Sequence, residues 1–249
     1  MTNALSRYGI KEVADVTFYE VGSDKPVLYL DTLKVSTIEQ TAENSEARGG
    51  KGNAALISWD YGKEISVTLE DALYSPRSLA LIYGDQDANP DPFTGLITKT
   101  IHLEDAVDGS ITKRDGKWVA TAKLAGNEVT LQDCRLYDKD RVDVTDEVAA
   151  NDLSNVVYIT GNINGKGSTI NISANSFPGV YKIVGDTYAR NEETGKDEFF
   201  QFIIPKAKVM SESNTITMEA EGDPTVFAMN LKVLRPRDGV MMQLRQYTV

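Results

Sequence analysis

The sequence predicts a mainly β protein, an antiparallel β-sandwich or barrel with a long N-terminal hairpin and one short helix. Three observations carry this reading. Two long runs of alternating apolar residues lie close together in the first third, helix signals gather at one short stretch, and the remainder consists of short alternating runs divided by turn dipeptides.

The first long run, 26–41, carries Leu28, Leu30, Leu33, Val35 and Ile38, and the second, 53–69, carries Ile57, Trp59, Tyr61, Ile65, Val67 and Leu69. Period-two alternation implies that Ile57, Trp59, Tyr61, Ile65 and Val67 share one buried face. Between the runs, residues 42–52 offer almost nothing apolar to bury and include Gly49, Gly50 and Gly52. They are expected to form a mobile tip that orders only against a partner. Strands longer than the usual five or six residues leave an edge that must be paired, and the expected partner is another copy. A short helix follows, with Ser75 as N-cap, Pro76 at its first position, Leu79, Leu81 and Ile82 as apolar residues, and Gly84 past its end.

Residues 85–92 read as an acidic, proline-containing connector. The Asp-x-Asp-x-Asn spacing at 85–89 is that of a calcium loop, but Pro90 and Leu96 occupy the places that require glycine and glutamate. Short strands are expected at 97–103, 118–124 and 129–136, divided by Asp108-Gly109, Asp115-Gly116 and Gly126-Asn127. Residues 140–152, anchored only by Val142, Val144 and Val148, are expected as a surface excursion. Residues 97–160 thus form either a β insertion or a continuation of the same sandwich, while 1–96 and 161–249 make one discontinuous β-domain.

Residues 161–168, Gly-Asn-Ile-Asn-Gly-Lys-Gly-Ser, approach a phosphate loop. The spacing is one residue short, and the following segment is strand-like where a phosphate loop needs a helix start. Asn164-Gly165 reads instead as a hairpin turn. In the last third, strands are expected at 180–184, 198–209, 215–220, 226–234 and 240–247, joined by polar turns. Arg235 and Arg237 sit in the last of these turns and read as surface or intersubunit charges.

Composition narrows the function. The chain has 249 residues and a net charge of −11, distributed as −4 over 1–84, −7 over 85–160 and zero over 161–249. An acidic chain is poorly suited to gripping phosphates, so specific nucleic-acid binding is not expected. Cys134 and His102 are the only cysteine and histidine, which excludes an intrachain disulfide and a Cys/His metal site. Cys134 is expected to be buried and inert, and His102 to lie at the surface. No nucleophile elbow, metalloprotease helix motif or dinucleotide fingerprint is present, and adjacent Glu70 and Asp71 point to opposite faces of a strand. No catalytic, cofactor-binding or metal-ligating residue is expected, and the chain is read as no enzyme. No run approaches the roughly 20 apolar residues of a membrane span, and residues 1–8 lack a signal-peptide layout, so folding in a cytoplasm without a membrane anchor is the default.

The phrases at 52–65 (Gly-Asn-Ala-Ala-Leu-Ile-Ser-Trp-Asp-Tyr-Gly-Lys-Glu-Ile), 70–76 (Glu-Asp-Ala-Leu-Tyr-Ser-Pro), 199–209 and 218–227 resemble the major tail (tail tube) proteins of tailed bacteriophages. They cover the first and last thirds. The resemblance implies a virion structural protein whose long strands join an inner β-barrel of a six-fold ring. Rings would stack into a tube that DNA traverses without specific binding, alongside sheath, tape-measure and baseplate partners, with assembly in the host cytoplasm. The tip residues Glu43, Glu46, Arg48, Gly49, Gly50 and Lys51 would then form the intersubunit stacking loop. Another phage shell component, such as a capsid or decoration protein, and a non-viral β-sandwich interaction module are the alternatives.

Overall fold

A computed structural model of the chain describes residues 7–85, 88–149, 152–212, 216 and 225–248. In chain order the strands are β1 (Tyr8–Ile10), β2 (Asp15–Glu20), β3 (Pro26–Leu30), β4 (Leu33–Gly49) and β5 (Ala54–Asp71), followed by helix α1 (Pro76–Ile82). Then come β6 (Asp91–His102), β7 (Thr112–Arg114), β8 (Lys117–Leu124), β9 (Asn127–Tyr137), β10 (Tyr158–Thr169), β11 (Val180–Asn191), β12 (Asp197–Val209), β13 (Phe227–Val233) and β14 (Gln243–Tyr247). The fold is mainly β, with two antiparallel sheets, neither of which closes into a barrel among the described residues. The chain divides into two compact units, 1–90 with 170–249, and 91–169.

The first unit is built on a nine-stranded sheet of order β3-β2-β11-β12-β13-β5-β4, with β1 paired to β11 and β14 to β12. Its core gathers Val16 and Phe18 from β2, Val67 and Leu69 from β5, Ile183 from β11, Ile204 from β12 and Leu231 from β13. Their spacing of two is the strand period, so each strand gives one face to this core. Helix α1 starts at a reciprocal cap: Ser78 N donates to Ser75 Oγ at 3.0 Å, and Ser75 N donates to Ser78 Oγ at 2.9 Å. Leu81 and Ile82 then anchor the helix in the core. Gly84, at φ +106°, lies where an added Cβ would stand 2.8 Å from the Ser176 backbone, so both the turn and the packing require glycine.

The run 26–41 is two strands, in place of the single one expected. It breaks at Asp31-Thr32, where the Thr32 hydroxyl donates to the Asp71 carboxylate; β3 then pairs with β2, while β4 pairs with β5. The strand expected at 215–220 lies outside the described residues apart from Ile216, as does most of the 218–227 phrase.

The second unit is a five-stranded sheet, β6-β10-β9-β8-β7, over a core of Ile101, Trp118, Ala120, Leu131, Cys134, Leu136 and Ile159. Residues 140–152 are less of an excursion than expected: Val144 is buried and Val148 packs on the core, while Val142 is exposed. Thr145 carries the segment, its carbonyl accepting from Trp118 Nε1 at 3.1 Å. Burial pushes the Cys134 thiol up to about 11, which keeps it protonated and unreactive at neutral pH.

The Asn164-Gly165 turn is not formed. β10 runs straight through it, paired with β6 over its whole length, Asn164 opposite Leu96 and Gly165 opposite Gly95. Gly161 and Gly165 answer to packing: a Cβ on Gly161 would meet Cys134 Sγ at 2.6 Å, and one on Gly165 would meet Ile97 Cδ1 at 2.2 Å, whereas Gly167 faces open space. The first two make room for neighbouring side chains.

Candidate assembly interface

The hairpin β4–β5 has two physically different halves. In the inner half, β5 lies between β4 and β13, which pairs with residues 66–71, and Ile65, Val67 and Leu69 are buried. From residue 65 back to the turn, β5 has β4 as its only strand neighbour among the described residues. The outer half, 39–49 and 54–64, contains no buried residue. At about 3.3 Å per residue it is a two-stranded ribbon on the order of 35 Å long. Among the described residues, no further strand pairs with either of its edges.

The expected loop at 42–52 is far shorter. Pairing continues to Gly49 opposite Ala54, and the turn is Gly50-Lys51-Gly52-Asn53, closed by Asn53 N donating to the Gly50 carbonyl at 3.2 Å. Gly50, Gly52 and Asn53 take φ of +78°, +87° and +49°, the left-handed conformation that glycine and asparagine tolerate best. The polar composition of 42–49 therefore reports an exposed strand.

The single buried face expected for Ile57, Trp59, Tyr61, Ile65 and Val67 is also corrected. In the inner half the pairs are Ser36 with Leu69, Ile38 with Val67 and Gln40 with Ile65; in the outer half they are Glu43 with Tyr61, Ser45 with Trp59 and Ala47 with Ile57. Even positions of β4 thus face odd positions of β5 near the core, whereas odd face odd in the ribbon. The switch comes from a bulge in which Gly62 and Lys63 stand opposite Ala42, with Gly62 at φ +62°. One extra residue turns the ribbon's odd positions onto the sheet face opposite to Ile65 and Val67. Leu56, the extra residue of a second bulge, brings Cδ1 within 3.3 Å of where a Gly49 Cβ would lie, and so joins the same face.

The result is an apolar row open to solvent: Leu56, Ile57, Trp59 and Tyr61 are 67%, 55%, 54% and 53% exposed. Four such side chains amount to a patch of several hundred Å², the size that marks an interaction surface. Of the tip residues, Glu43 lies on this face beside Tyr61. Glu46 and Arg48 occupy the other face, where Arg48 donates to Glu46 at 2.5 Å, and Gly49, Gly50 and Lys51 make the turn and its approach. The sequence reading grouped these residues; the structure spreads them over two faces.

A second open surface escaped the sequence reading. Where the core of the first unit meets solvent, a groove of about 570 Å³ is lined by Val13, Val35, Ile38, Phe200, Met242 and Leu244, together with the charged Lys11, Glu12 and Lys34. Its residues come from segments far apart in the chain, so no local pattern could have shown it. The signal for the bulge was present, however, as the lone glycine inside the strand pattern at Tyr61-Gly62-Lys63.

Among the described residues, no group of three or more His, Cys, Asp or Glu side chains is placed to hold a metal ion. Among the described residues, no helix is long and apolar enough to cross a membrane. No curated protein matches the chain significantly. A family model matches residues 8–244, nearly the whole chain, and the chain belongs to the YomU/Tube protein family, a phage tail tube-type family, which makes it a phage tube structural protein of the virion tail.

Proposed function

We propose that this protein is the self-assembling subunit of the tail tube, forming six-fold rings that stack and enclose a lumen for DNA. It works by assembly, makes and breaks no covalent bond, and needs no cofactor. The observation that carries this reading is the outer ribbon of the β4–β5 hairpin. A lone two-stranded hairpin is marginally stable in water at best, and this one holds four large apolar side chains in solvent. A fold that keeps such an element gains by covering it, and copies of the same chain supply the cover at no cost in new partners. Sheath, tape-measure and baseplate proteins are the further partners expected at the tube's surface, lumen and end, and assembly takes place in the host cytoplasm.

The acidic net charge suits a lumen through which DNA slides, because carboxylates repel phosphates. Negative-stain microscopy of the purified protein tests the reading: tubes or six-fold rings are expected, whereas icosahedral shells or unassembled particles would refute it. A gel-shift assay at physiological salt should show no retention of duplex DNA.

A further inference from the structure

The ribbon's apolar row and the groove at the core mouth are both open in a single chain, and they differ in shape: one is a protruding strip, the other a concavity. Resting on the tube reading, we infer that the row of one copy, Leu56, Ile57, Trp59 and Tyr61, seats in the groove of a second copy. The contact is heterologous, strip to groove, so each subunit offers one free strip and one free groove to its neighbours and the contact repeats from copy to copy.

Three features select a second copy as the occupant. The groove offers apolar surface, with Ile38, Phe200 and Met242 half-buried and Leu244 57% exposed, and its two hydroxyls are already bonded within the chain, Thr187 Oγ1 donating to the Glu12 carbonyl at 3.0 Å and Ser36 Oγ accepting from Ala14 N at 3.4 Å. Its lining carries Lys11 and Lys34 against one acid, Glu12, while the ribbon's apolar face carries Glu43, the cross-strand partner of Tyr61, and at its base Glu64, opposite Thr41. Lys11, Lys34 and Glu43 form no ion pair with a described residue, whereas Glu64 is held by Lys232. The groove is thus cationic by one charge and the strip's unpaired charge is acidic, so charge favours the proposed contact as well as shape. Finally, the strip is held at a fixed face by the Gly62 bulge. Without that extra residue, Trp59 and Tyr61 would continue the face of Ile65 and Val67.

The test uses the chain's own lone thiol to advantage, since Cys134 is buried and stays out of the chemistry. Ser45 shares the strip's face beside Trp59, and Leu244 lines the groove. In assembled protein the double variant Ser45→Cys, Leu244→Cys should give a ladder of covalent multimers on a non-reducing gel after mild oxidation, and each single variant should remain at monomer size. Tubes by microscopy with no ladder would overturn the inference and leave the tube reading intact. Dimers from Ser45→Cys alone would show that strips pair with each other, which also overturns it. Wild-type protein that never forms tubes would refute both readings. As a measurement independent of the cysteines, Trp59→Arg and Leu244→Glu each spoil one half of the contact. Each should fold, by circular dichroism, and stay monomeric, and an equimolar mixture should form a one-to-one dimer by size-exclusion chromatography. A mixture that stays monomeric overturns the inference, as does native mass spectrometry showing a small apolar molecule held in the groove of the wild-type chain.

Discussion

The inner and outer halves of the β4–β5 hairpin share two strands, one pairing and one apolar alternation, yet they have opposite fates. Ile65 and Val67 are 4% and 0% exposed, whereas Trp59 and Tyr61, from the same odd positions of the same strand, are more than half exposed. Two things separate them. The inner half has β13 as a third strand and the core beneath it, and a single extra residue at Gly62-Lys63 reverses which face the odd positions take. Alternation announces a one-sided strand; it does not say which side, or whether the chain itself provides the cover.

The comparison can be broken most forcefully at Ile65. Ile65→Asp places an unpaired charge in the core, at a cost of several kcal/mol, and should abolish soluble, folded protein. Soluble protein with wild-type thermal stability would show that the inner half is not what holds the unit together.

Next in size is the bulge itself. Gly62→Val forces a β-branched residue to φ +62°, a strain of about 1–2 kcal/mol in the monomer. Relief by resetting the register would turn the apolar row, so tube yield should fall further than the loss of stability explains. A denaturant midpoint unchanged from wild type would mean that the bulge tolerates side chains and is not a fixed device.

Trp59→Ser should move monomer stability by no more than about 0.5 kcal/mol, because its side chain is already in solvent. Assembly should nevertheless be strongly impaired by sedimentation. A destabilisation of 2 kcal/mol or more would show that the outer row is packed in the free chain.

The smallest effect on the monomer belongs to the tip. Arg48→Glu with Lys51→Glu loses one exposed pair, Arg48 with Glu46, worth less than about 1 kcal/mol. Repetition around a ring multiplies any contact that the tip makes, so the double reversal should shift tubes toward rings or monomers, with high salt acting on wild-type tubes in the same direction. Long tubes from the double variant would place the stacking contact away from the tip.

Much of the fold was legible in the chain. Ser75, Pro76 and Gly84 marked both ends of helix α1, and the strands around 118–124, 129–136, 198–209 and 226–234 follow directly from alternation and turn residues. The failures share one cause, which is that residues chosen for a tertiary neighbour imitate local signals. Gly165 imitates a turn but makes room for Ile97, and the polar run 42–49 imitates a loop but is an exposed strand. The short strands β1 and β2 passed unread, since Asp15 to Glu20 shows its alternation only once Val16 and Phe18 are known to be buried.

By itself the sequence determined a mainly β chain, a long hairpin, one capped helix and membership in the tail-tube type, because these depend on residue order within a strand, a turn or a phrase. The tertiary structure alone decided which face of the hairpin is apolar toward solvent, and that a groove lies open at the core mouth. Face depends on register, which one bulge residue shifts, and the groove is assembled from Val13, Val35, Phe200 and Leu244, which only the folded sheet brings together.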